Sequence, residues 1–182
     1  MKISPKGDFQ SVLYHFSEDP SIERFVPHVP RTNPTHRAAV WAIDYERAPL
    51  YWFPRDCPRV TIWPFDDVQL TAFRSRFTTS ARRLHAIESG WYERMCKAQV
   101  YRYEFDADGF EPWEQANGQW ISDREVVPSA VEPVGDLIDA HHSAGIELRL
   151  TPSLWPLHDV ALERQFDFSV VRMHNAQPRP HS

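Results

Sequence analysis

The chain has 182 residues, a quarter of them charged (25%), and a formal net charge of -5 at pH 7. That length can bury a substantial single core, and the acidic balance gives no bulk attraction to nucleic acid or to an anionic membrane. Its two cysteines, Cys57 and Cys96, are too few for a disulfide framework and form no CxxC pair. No apolar run reaches the roughly 18 residues of a membrane span, and the opening MKISPKGDFQ has no apolar centre of the signal-peptide kind. Free thiols without an export signal predict a cytoplasmic protein.

Sixteen prolines against six glycines predict short elements with stiff connections. Residues 1–10 and 176–182 are polar or proline-rich and read as flexible ends around one α+β domain over 11–175. The first predicted strand is 11–16, built on Val12, Leu13 and Tyr14. Ser17 then stands where it can cap a short helix carrying Ile22 and Phe25. Pro27 and Pro30 impose an extended path to about residue 37, long enough for a pocket rim or lid. AAVWAID (38–44) reads as a buried strand, and 59–63 alternates as another. Residues 72–83 carry Arg74, Arg76, Arg82 and Arg83 without an acid, which reads as a solvated face more readily than as a basic patch.

A strand at 82–88 and a short helix at 88–97 follow. The clearest strand is 97–106, with Gln99, Tyr101, Tyr103 and Phe105 on one face and Val100, Arg102 and Glu104 on the other. Asn117-Gly118 predicts a hairpin within 110–120. Glu125-Val126-Val127 opens a further strand that Pro128 stops or edges. A helix over 134–143 ends near Gly145, a strand covers 146–150, and 153–164 is amphipathic with Leu154, Leu157, Ala161 and Leu162 inward. A last strand lies at 168–173. Strands dominate early and helices come late, with few glycine-rich turns between them, which predicts α+β rather than a doubly wound sheet.

Four groups of residues could carry chemistry. His15 and Ser17 at a strand end can offer a ring nitrogen and a hydroxyl to a ligand, or can be a core histidine beside a cap. In WFPRDCPR (52–59), Arg55 and Arg59 can clamp a phosphate or carboxylate, or brace a loop against Asp56, Asp66 or Asp67. Cys57 beside these arginines could have a lowered pKa, though no histidine lies nearby in sequence to act as its base. Glu125 is a carboxylate at a strand start, catalytic or solvated. Asp136, Asp139, His141 and His142 share one helix, which suits a metal site less well than a solvated helix end. HExxH, the P-loop, GxGxxG and GxSxG are absent from the sequence, so those mechanisms have no support.

LYHFSEDPSI (13–22), VWAID (40–44) and WFPRDCPRV (52–60) resemble the motifs of a bacterial family of unknown function, and HAIES (85–89) and FSVVRMHNA (168–176) extend the likeness more loosely. A more distant resemblance is to the ADP-ribosyltransferase fold, which opens with a strand bearing His-x-Thr or His-x-Ser. It follows with an aromatic residue on a second strand and a Glu starting a later one. Tyr14-His15-Phe16-Ser17 looks like the first element, Trp41 is similar in place to the aromatic, and Glu125 matches the third by order.

This resemblance implies a split, mostly antiparallel sheet and a protein that binds NAD or a similar nucleotide, with transfer of ADP-ribose to an unknown acceptor as its chemistry. His15 and Ser17 would then hold the ribose and amide, Trp41 would stack on nicotinamide, Glu125 would serve catalysis, and Arg55 or Arg59 would meet phosphate. The rival expectation is a non-catalytic ligand- or protein-binding domain using a tryptophan-rich surface of Trp41, Trp52, Trp63 and Trp120. A small metal-dependent hydrolase using His141 and His142 comes third.

Overall fold

The computed structural model describes residues 11–30, 35–116 and 118–179. Its strands in chain order are β1 (Val12–Ser17), β2 (Val40–Ile43), β3 (Arg59–Trp63), β4 (Leu84–Glu88), β5 (Tyr101–Asp106), β6 (Glu111–Pro112), β7 (Gln119–Ser122), β8 (Ala130–Pro133), β9 (Glu147–Thr151) and β10 (Asp167–Val171). Its α-helices are α1 (Leu70–Phe77), α2 (Tyr92–Lys97), α3 (Leu137–Ser143) and α4 (Trp155–Leu162). The protein is α+β, with mostly antiparallel sheets, and its chain divides into two compact units. Of the described residues, one unit comprises those up to Tyr51 together with those of Tyr101–Pro133, and the other those of Trp52–Val100 and those from Val134 to Arg179.

The first unit is a six-stranded sheet in the order β6-β7-β2-β1-β5-β8, with every registered pair antiparallel. The period-two alternation of β5 decides its two faces: Tyr103 and Phe105 are fully buried beside Leu13, Val40 and Ala42, while Arg102 and Glu104 point the other way. Residues 17–25 form no helix. Asp19 donates its amide to Ser17 Oγ at 3.1 Å, and Ser21 donates to Asp19 Oδ1 at 2.9 Å, so Ser17 closes a turn and does not cap a helix. The hydroxyl of buried Tyr103 fastens this turn by accepting from the Ile22 amide (3.1 Å) and donating to the Asp19 carbonyl (2.6 Å). Phe25 and Val126 then exchange both backbone bonds as an isolated bridge. The strand expected at Glu125 is therefore only this bridge, and the ladder resumes in β8.

The second unit is a four-stranded sheet, β10-β3-β4-β9, in which β4 and β9 run parallel and the other pairs antiparallel. Val60, Ile62, Leu84 and Ala86 on one face pack with Phe73 and Phe77 of α1 and with Leu154, Ala161 and Phe166. Helix α1 was not expected from the sequence; it buries Phe73 and Phe77 and leaves Arg74 and Arg76 exposed. The four arginines of 72–83 have partners in the fold: Arg76 with Glu163 at 3.6 Å, Arg82 with Asp67, Arg74 with the Ala81 carbonyl, and Arg83 over the Trp63 ring at 5.2 Å. Leu162 corrects the expected face of α4. Leu154 and Ala161 are seven residues apart and share the buried stripe, whereas Leu162 turns out of it and is 50% exposed. Asp136 caps α3 by accepting from the amides of Ile138 and Asp139.

The predicted tryptophan surface is not continuous. Trp41 and Trp120 lie on paired strands but on opposite faces, since Trp41 pairs with Ile121 and Ala42 with Trp120. Trp63 is buried in the second unit.

Candidate functional site

In the first unit, β1 and β5 stay in register from Val12 to Ser17, but β1 and β2 register only at Tyr14 and Ile43. Beyond that pair the imidazole of His15 takes over: its Nδ1–H donates to the Trp41 carbonyl at 2.9 Å, bridging two strands that no longer pair. The pocket here has a volume of about 70 Å³. It is lined by the aromatic residues Tyr14, Phe16, Trp41 and Tyr51, by Ala42 and Ile43 of β2, and by the polar residues His15 and Gln119.

Each wall is braced. Tyr51 stacks on Phe16 with ring centroids 6.0 Å apart and planes within 6°. The Arg102 guanidinium lies 5.4 Å over the Tyr14 ring and is itself held by Glu132 (2.7 Å) and Glu104 (2.9 Å). The Tyr14 hydroxyl is pushed above its ordinary pKa by burial first and by the Glu104 carboxylate second, with Arg102 opposing. Trp41 is backed by the rings of His36 and Trp113, each 5.4 Å away, and its buried Nε1–H has no hydrogen-bond partner among the described residues. His15 packs on Phe25 at 4.8 Å.

The structure thus joins His15 to Trp41 and leaves Ser17 two residues further along β1 in its turn. Glu125 is exposed, is ion-paired with Arg24, and is absent from the pocket lining. Tyr51 and Gln119 are lining residues that sequence reasoning missed. Tyr51 belongs to the 3-10 turn Ala48–Tyr51 and Gln119 to a short strand, and neither position carries a motif.

In the second unit, Arg55 is exposed, whereas Arg59 is 6% exposed, donates to the Cys57 carbonyl at 3.1 Å, and lies 5.0 Å over the Phe53 ring. The expected lowering of the Cys57 pKa is reversed. Burial pushes the thiol up to about 12, outweighing the favourable fields of Arg59 and Arg94. His141 is turned inward onto His85, not outward with Asp139, and among the described residues no group of three or more His, Cys, Asp or Glu could hold a metal.

The fold and site define an α+β protein with a small aromatic pocket at a parted strand pair. The model of the Family of unknown function (DUF6886) matches residues 14–176, and the chain belongs to this family. No curated protein and no solved structure matches it. Among the described residues, no helix is long and apolar enough to cross a membrane.

Proposed function

We propose that the protein binds a nucleotide of the NAD type, with its nicotinamide end in the pocket between β1 and β2. The observation that carries this reading is the His15–Trp41 bridge, which holds an aromatic-walled pocket open where the strand ladder stops. At about 70 Å³ the pocket is well below the roughly 300–1,000 Å³ of a site that encloses a whole ligand, so it suits one ring-sized end group. Aromatic walls favour a cationic pyridinium ring, and its amide edge would find hydrogen-bonding partners in Gln119 and in the hydroxyl of Tyr14 or Tyr51. Ser17 Oγ accepts one amide in its turn and keeps its own proton to donate to a ribose. The resemblance of the His15-Phe16-Ser17 element and Trp41 to the ADP-ribosyltransferase fold supports the same assignment.

Transfer of ADP-ribose would break the bond between nicotinamide and ribose, with a carboxylate stabilising the oxocarbenium left behind. Glu125 is the carboxylate that the resemblance offers, but its ion pair with Arg24 favours a binding protein over a transferase. Calorimetric titration with NAD, together with an assay for nicotinamide release, tests both. The expected result is binding to the wild type, at least tenfold weaker in Trp41→Ala, with no nicotinamide released. No binding to the wild type overturns the nucleotide reading, and release that Glu125→Gln abolishes restores the transferase.

A further inference from the structure

The second unit holds a pair of imidazoles that no part of the pocket uses. His85 on β4 and His141 on α3 are both 0% exposed, with ring centroids 5.0 Å apart. The hydrogen bonds fix their tautomers. The Leu137 carbonyl can only accept, so His141 Nδ1 carries a proton and donates to it at 2.7 Å. In the neutral ring His141 Nε2 is then an acceptor, and His85 Nδ1–H donates to it across 3.0 Å. This leaves the lone pair of His85 Nε2 buried, with no partner among the described residues.

Among the described residues no carboxylate bonds either ring: the buried Glu88 at the end of β4 accepts from the Leu154 and Gln177 amides, and Glu93 of α2 pairs with Lys97. Phe53 packs on both rings, at 5.5 Å and 4.9 Å, and Trp52 meets His141 edge-on at 5.9 Å. The charged groups bearing on His85 are Arg59 on β3 and Arg83 just before β4, both cations. On β9, Leu148 stands opposite His85, while Glu147 is paired with Arg149. On α3, Asp136 is committed to its capping bonds, and Asp139 and His142 are exposed. Helix α2 buries only Met95. Protonating His141 Nε2 would set two N–H groups against each other across the 3.0 Å contact.

We propose that the His85–His141 hydrogen bond is an acid-sensitive latch, holding α3 on the four-stranded sheet at neutral pH and releasing it when the pair takes up a proton. Burial keeps both rings below the ordinary histidine value, His141 at about 4, so the latch is shut at neutrality. Once α3 lifts, the rings regain an affinity near the ordinary value of about 6.5, and opening is linked to proton uptake. The opening constant then rises about tenfold per pH unit for each imidazole that gains a proton.

Amide hydrogen exchange on the full chain from pH 7.5 to 4.5, corrected for intrinsic rates, tests this. Protection of the Ala140, Ala144 and Ile146 amides, all bonded at α3, is expected to fall by about tenfold or more per pH unit below 6.5, while the β1 and β5 amides hold. His141→Phe keeps a ring and removes one proton site, and should lower that slope by one ring's share, about tenfold per pH unit. Ring-proton NMR of the wild type needs no variant, and is expected to show neither imidazole titrating near 6.5 while α3 remains protected. Constant protection across the range, an unchanged slope in His141→Phe, or ordinary titration of both rings with α3 docked would each overturn the latch.

Discussion

His15 on β1 donates to the carbonyl oxygen of Trp41 on β2, 2.9 Å away, at the end of a ladder that registers only at Tyr14 and Ile43. A side chain there does the work of a backbone rung, and the space that a closed ladder would fill becomes a pocket. Removing that bond by His15→Ala should cost about 1 kcal/mol of stability in urea unfolding. It should also weaken NAD binding at least tenfold by calorimetry. Equal binding by variant and wild type would remove His15 from the site.

In the proposed nucleotide site the aromatic wall and the amide should contribute separately. Tyr51→Ala deletes the partner that stacks on Phe16, and Gln119→Leu deletes an amide while keeping similar bulk. Tyr51→Ala should weaken all ring-bearing ligands alike. Gln119→Leu should weaken nicotinamide and spare an N-alkylpyridinium lacking the carboxamide. Parallel titrations of the two ligands distinguish these outcomes.

Cys57 and Cys96 should differ sharply in reactivity. Cys57 is buried and its thiol is held at about 12, so almost no thiolate exists at pH 7.5, whereas Cys96 is exposed. Iodoacetamide followed by peptide mass spectrometry should label Cys96 first and leave Cys57 unlabelled in the folded protein. Early labelling of Cys57 would contradict the burial that sets its pKa.

Glu88 is 2% exposed, and its carboxylate accepts from the Leu154 amide at the start of α4 and from the Gln177 amide near the C-terminal end. The same closing segment is fastened by Trp155 Nε1 donating to the Gln177 carbonyl and by Arg179 over the Trp155 ring. Glu88→Leu leaves both amides without their acceptor and should cost about 2–4 kcal/mol in urea unfolding. Glu88→Gln retains an acceptor oxygen and should cost less. Equal losses would show that charge, not acceptance, matters there.

The pH dependence of stability follows from the same buried imidazoles. Both are neutral in the fold and have folded pKa values below the unfolded value near 6.5, so the unfolded chain binds more protons between those limits. Stability is therefore fully present above pH 6.5 and falls as the pH drops toward 4, by about 1.4 kcal/mol per pH unit for each ring. Urea midpoints at pH 7.5, 6 and 5 measure it, and His141→Phe should remove one ring's share.

Much of the fold was legible because it rests on local physics. Alternation at Tyr101, Tyr103 and Phe105 marked β5, Gly145 marked the end of α3, and the spacing of Leu154 and Ala161 reported α4. Failures came where a distant group outbid a local preference. Ser17 has the chemistry of a helix cap, but the Tyr103 hydroxyl takes the Ile22 amide and the Asp19 carbonyl, so a turn forms. Glu125 sits in a strand-like run, yet Val126 finds only the single partner Phe25.

The sequence by itself determined the α+β class, most of the strands, and a histidine and a tryptophan worth following, because period, proline and polar spacing act over a few residues. Only tertiary structure decided that His15 meets Trp41, that Tyr51 and Gln119 complete their pocket, and that His85 and His141 share a bond. Those contacts join residues 26 to 56 positions apart where the structure measures them directly. Strand register and burial, which no short window of sequence encodes, set each of them.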